Sequence, residues 1–143
     1  MRTSLEPDES WEPLRERARA AMSAAYARYS DFRVGAALET ADGRVYAGCN
    51  VENASFPVTM CAERVALGAA VVDGARRFGR LYLCSDDAAP VAPCGMCRQA
   101  LAEFAPDLAI VSLGTSGETR SWRLSELLPD TFELESSAGE APA

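Results

Sequence analysis

Met60-Cys61-Ala62-Glu63-Arg64-Val65-Ala66-Leu67-Gly68-Ala69-Ala70-Val71-Val72 decides the fold. Its body is alanine-rich and almost wholly apolar, which predicts a helix over 60–72, buried on much of its circumference. Cys61 stands at the opening of that helix, with Glu63 two residues on. After a long interval comes Pro93-Cys94-Gly95-Met96-Cys97. Here a further helix is predicted over 95–104, with Pro93 suited to its start. Cys94 and Cys97 are three apart, so one face of that helix presents both sulfurs.

The chain contains no histidine, so a metal would have to be held by sulfur. Zinc takes thiolate readily, and three protein ligands leave a fourth position for water. Cys61, Cys94 and Cys97 are the candidate ligands. Each is expected near a helix N-terminus, where the dipole and free N–H groups favour thiolate over thiol. Glu63, beside a ligand, would move protons at that water, a role that a purely structural site does not need. Three thiolates against a dication leave one net negative charge, a weaker Lewis acid than zinc on three imidazoles. The helix dipoles and Arg64, donating to a ligand sulfur, would offset this.

Other readings stay open on the residues alone. The Cys94–Cys97 pair could be a redox dithiol, which leaves Cys61 and Glu63 without a role. A closed site of four cysteines would draw on Cys49 or Cys84 and serve as a structural zinc module for protein interaction. Both of these cysteines lie in predicted strands, where cysteine usually acts as a small apolar residue. Iron is also compatible with sulfur ligands.

Outward from these motifs, Trp11, Leu14, Ala18, Met22, Ala25 and Tyr29 fall at three- and four-residue steps, an amphipathic helix with Ser10 as its N-cap. Residues 34–40 and 44–51 read as strands joined by the turn Ala41-Asp42-Gly43. Residues 53–59 are loop. Short apolar strands are expected at 81–85 and 108–113, a further strand at 119–124, and a helical turn at 125–128. Strands alternating with helices indicate an α/β fold, a mixed sheet flanked by helices. No internal repeat or second domain is visible. The expected organisation is a flexible start at 1–10, a domain at 11–132, and a disordered acidic tail at 133–143.

With 143 residues, 48% of them hydrophobic, the chain can form one domain with a genuine core. No apolar run approaches a membrane span and no signal pattern opens the chain, so a cytoplasmic protein without a membrane partner is expected. Five cysteines, an odd number, argue for reduced thiols or metal rather than disulfides. Lys+Arg number 14 against 21 Asp+Glu, a formal net charge of −7. No basic face is available to replace the counterions of a polyanion, so nucleic acid is not an expected partner.

Taken together, several segments resemble the cytidine deaminase family, and its small homotetrameric branch in particular. They are Tyr29-Ser30-Asp31-Phe32-Arg33-Val34-Gly35-Ala36-Ala37-Leu38, Gly48-Cys49-Asn50-Val51-Glu52-Asn53-Ala54-Ser55, the two cysteine motifs through Arg64 and Gln99, and Leu127-Leu128-Pro129-Asp130-Thr131-Phe132. Three-cysteine coordination with a non-ligand glutamate is a known pattern among zinc deaminases. The resemblance implies a single-domain, three-layer α/β/α fold on a mixed five-stranded sheet, with one zinc per subunit. It implies hydrolytic deamination of cytidine and deoxycytidine in pyrimidine salvage, with Glu63 catalytic. Asn50 and Glu52 would bind the ribose 3′-hydroxyl, Phe32 would pack on the pyrimidine, and the Pro93 carbonyl would accept from its amino group. Ala54 and Ala62 would also touch substrate, and Phe132 would reach into a neighbouring subunit's site. Phe56 stands where the family often has tyrosine, which removes a hydroxyl from the sugar's 5′ side. An alternative within the same chemistry is another aminopyrimidine nucleoside, such as blasticidin S.

Overall fold

The computed structural model describes residues 5–138. Parts of the expected flexible start and acidic tail, residues 1–4 and 139–143, lie outside them. The elements are α1 (Glu12–Met22), β1 (Val34–Thr40), β2 (Val45–Cys49), α2 (Ala62–Val72), β3 (Phe78–Ser85), α3 (Gly95–Ala102), β4 (Ala109–Leu113), β5 (Thr119–Arg123) and α4 (Leu124–Leu127). Single 3-10 turns at Glu9–Trp11 and Phe56–Val58 complete the set.

The five strands form one mixed sheet in the order β2-β1-β3-β4-β5. Only β3 and β4 are parallel, and the chain between them passes through α3. Side chains alternate across the central strands. Ala36, Leu38, Leu81, Leu83 and Ile110 pack with Ala66, Leu101 and Leu124 on the α2/α3 face. Ala37, Tyr82, Cys84, Val111 and Leu113 pack with Trp11, Leu14 and Ala18 on the α1 face. Helices therefore cover both faces, as an apolar run such as β4 requires. Among the described residues no helix is long and apolar enough to cross a membrane.

Close packing of α2 on β2 depends on Gly48. A Cβ there would stand 2.3 Å from the Ala62 carbonyl oxygen and 2.5 Å from the Ala66 nitrogen. Gly35 does the same for α1, where a Cβ would lie 2.0 Å from the Ala18 oxygen. The turn after β1 places Gly43 at φ 90°, a conformation open to glycine.

The first helix is shorter than its periodicity predicts. It ends at Met22, because the following chain is captured by the sheet end: Tyr26 N donates to Asn50 O at 3.0 Å, and Glu52 N to Tyr26 O at 2.9 Å. Ala25 and Tyr29 keep the helical step without being helical. At its other end Ser10 is not the cap: it lies inside the 3-10 turn Glu9–Trp11, whose cap is Asp8 with its carboxylate accepting from Ser10 N at 2.9 Å, and Trp11 takes the cap position of α1 itself. The second strand stops at Cys49, and Val51 instead bridges Tyr26 and Met60.

Candidate active site

Cys61 and Cys94 are the N-cap residues of α2 and α3, both with extended backbone, and neither helix has a side-chain cap hydrogen bond. The N–H groups that open each helix are thus not taken up by the side chain of the cap residue. Cys97 lies in the first turn of α3 and is fully buried. The three Sγ atoms lie within 4.8 Å of one another, and those of Cys61 and Cys94 are 3.8 Å apart. Two ligands of a tetrahedral ion with bonds of about 2.3 Å would be separated by about 3.8 Å. The donor set therefore fits zinc. Cys49 and Cys84 are not members of the cluster, so the four-cysteine arrangement is not formed among the described residues.

The electrostatics favour charge on this cluster. A hydrogen bond from the Cys97 thiol, followed by Arg64, lowers the Cys61 pKa to about 5, and the same bond pushes Cys97 upward. Arg64 Nη2 lies 3.5 Å from Cys61 Sγ and also donates to the Thr59 carbonyl at 3.3 Å. Cys84, on the other face, is raised to about 11 by burial.

Glu63 is in the first turn of α2 and only 5% exposed. Burial raises its pKa, and the nearby Cys61 charge adds to the effect. It lines a cleft of about 250 Å³ together with Cys61, Cys94, Ala62, Phe32 and Asn50. Four residues without a distinctive sequence signal, Thr59, Leu83, Val91 and Ala92, complete much of the wall.

Asn50 and Glu52 both hold the segment that carries Phe32. Asn50 Nδ2 donates to the Phe32 carbonyl at 2.8 Å, while its Oδ1 accepts from Val34 N at 2.9 Å. Glu52 accepts from the backbone N–H groups of Tyr29 and Ser30, at 3.0 and 3.1 Å, and from the Ser30 hydroxyl. These bonds lower the Glu52 pKa. Its carboxylate is not part of the cleft wall in this chain.

Three other expected residues do not line the cleft of this chain. Pro93 is buried, and its carbonyl accepts from Arg98 Nε at 2.7 Å. Arg98 also holds the Leu127 carbonyl at 3.1 Å. Ala54 is exposed and outside the cleft. Phe132 is 70% exposed, its backbone paired with the Gln99 side chain away from the cleft. Nothing in the spacing marked Arg98 or Gln99 for these duties.

Residues 9–113 match the model of the cytidine and deoxycytidylate deaminase zinc-binding region. A cytidine deaminase of Halalkalibacterium halodurans is 46% identical over 116 residues, which is 80% of this chain and 88% of that protein. One from Sporosarcina psychrophila is 44% identical over 112 residues, 78% and 82% of the two chains. The crystal structure of cytidine deaminase from Burkholderia pseudomallei superposes with a TM-score of 0.81 at 46% identity. It covers 85% of this chain and 98% of its own.

Proposed function

The chain belongs to the cytidine and deoxycytidylate deaminase family, and from that premise we infer that it hydrolyses cytidine and deoxycytidine to uridine and deoxyuridine, releasing ammonia. The observation that carries this reading is the buried Glu63 carboxylate in one cleft with Cys61 and Cys94. Cys61, Cys94 and Cys97 would hold one zinc per subunit. Bound zinc supplies a water activated for attack on C4 of the pyrimidine. Glu63 takes the proton of the attacking water and delivers it to N3, then carries a proton to the departing amine. Water and cytidine are consumed, uridine and ammonia leave, and the carboxylate returns to its starting state.

The remaining roles follow the cleft. Phe32 packs on the pyrimidine and Ala62 closes the floor. Asn50, which holds the Phe32 and Val34 backbone, retains a second amide N–H for the sugar. Outside the cleft wall of this chain, Glu52 as its partner at the ribose 3′-hydroxyl, and the Pro93 carbonyl and Ala54 as further contacts, rest on the family resemblance. Arg64 draws charge from the ligand sulfurs.

We further propose a homotetramer in which Phe132 completes a neighbour's site. Its support is a row of exposed apolar side chains beside the cleft: Tyr26, Tyr29, Val51, Phe56, Val58 and Met60. Backbone bridges join Tyr26 to Val51 and Val51 to Met60, so part of this row is one continuous patch suited to a subunit contact. The catalytic domain is assigned to residues 11–132. The role is pyrimidine salvage in the cytoplasm, where free thiols stay reduced.

Glu63→Gln tests the assignment. The variant is expected to keep its zinc while turnover of cytidine, followed by ultraviolet absorbance, falls by roughly two to four orders of magnitude. Near-normal turnover would remove Glu63 from the chemistry.

A further inference from the structure

The sheet face turned away from the cleft carries a second cavity of about 220 Å³ beneath α1, walled by Trp11, Arg15, Arg19, Tyr82, Thr115 and Thr119. No role in deamination reaches it, since the whole sheet lies between. Tyr82 is 3% exposed, and its hydroxyl has no hydrogen-bond partner among the described residues. That hydroxyl opens onto the cavity and is free to donate to a group held there. Its ring packs against Trp11, with centroids 6.3 Å apart.

The two arginines, one helical turn apart on α1, add to the unspent donors. Arg15 Nη1 is 3.4 Å from Glu12, which leaves its buried Nε without a partner. The Arg19 guanidinium forms no ion pair among the described residues. Arg19 is exposed at the cavity mouth, and the buried donor without a partner is Arg15 Nε. Two carboxylates also line the cavity, Asp8 and Glu12. Asp8 is engaged by Ser10, through N at 2.9 Å and Oγ at 2.5 Å, and Glu12 by Arg15. Their charge would repel a dianion and tolerate a weakly charged group.

We propose that this cavity binds a small oxyanion of low charge, a carboxylate or a singly ionised phosphate ester, with Arg19, Arg15 Nε and the Tyr82 hydroxyl as donors. Charge-assisted bonds from guanidinium and phenol to oxygen are the strong class of hydrogen bond. The threonine hydroxyls can serve as donor or acceptor around the same group.

Isothermal titration of the zinc-loaded protein with acetate, inorganic phosphate and glycerol 1-phosphate, in chloride buffer at matched ionic strength and about pH 5.5, where both phosphates are largely singly ionised, tests the assignment. Saturable one-site binding is expected for at least one of the three. Acetate alone would assign the cavity to carboxylates, and either phosphate alone would assign it to phosphate. Arg19→Gln and Tyr82→Phe should each weaken binding about tenfold, with cytidine turnover unchanged because neither side chain faces the cleft. Tyr82→Phe preserves the ring, and its melting curve verifies folding. Heats that merely track ionic strength, or binding that survives both substitutions undiminished, would overturn the proposal.

Discussion

Cys61 and Cys84 sit on opposite sides of the same sheet and have opposite chemistry. Cys61 caps α2, receives hydrogen bonds from Cys97 and Arg64, and has its pKa lowered to about 5. Cys84 is sealed between β3 and α1 with Trp11, Leu14 and Tyr82, and burial raises it to about 11. Burial pushes both thiols in the same direction, upward, so burial alone does not separate them. The difference is what ends beside them. A donating Cys97 thiol and then the Arg64 guanidinium, at a helix N-terminus, stabilise sulfur as an anion, whereas apolar packing preserves the neutral thiol. One face is thereby built to hold a cation and the other to hold the fold together.

The largest effect that could break this contrast comes from deleting one thiol on each face. Cys97→Ala should lose most of its zinc and nearly all turnover, since two sulfurs cannot hold the ion in an open three-ligand site. Cys84→Ala should keep full zinc and turnover, and lose on the order of 1 kcal/mol of stability through the small cavity left behind. Metal analysis and chemical denaturation of the two variants decide the matter. Zinc loss from the Cys84 variant would show that the faces are not separate.

A smaller effect sharpens the contrast through the two glycines that admit the helices. Gly48→Ala pushes a methyl group against the Ala62 carbonyl, on the first turn that carries Cys61 and Glu63. Gly35→Ala pushes one against the Ala18 carbonyl of α1. Overpacking should cost each variant roughly 1–3 kcal/mol. The part still folded should have reduced turnover per molecule for Gly48→Ala and near-normal turnover for Gly35→Ala. Equal specific activity in the two variants, normalised to the folded fraction, would mean that α2 tolerates displacement without disturbing the chemistry.

Legibility in the sequence followed the range of the interactions. The apolar body of α2 and the two strands joined by the Gly43 turn are local signals, and they appear at or within a few residues of the expected positions. The cluster of Cys61, Cys94 and Cys97 was legible because the chain has no histidine and the two motifs open two helices. The end of α1 was not, because it is set by Tyr26 pairing with residues 50–52, far along the sequence. The same holds for the grip of Asn50 and Glu52 on residues 29–34, and for Arg98 on the Pro93 carbonyl. The cavity beneath α1 joins residues as distant as Arg15 and Thr119, and no spacing rule could have assembled it.

Zinc K-edge X-ray absorption on the purified protein tests the central claim most directly. Three sulfur neighbours at about 2.3 Å and one oxygen or nitrogen neighbour at about 2.0 Å are the predicted shell. Four sulfurs with no light-atom neighbour would describe a sealed structural site and contradict the account.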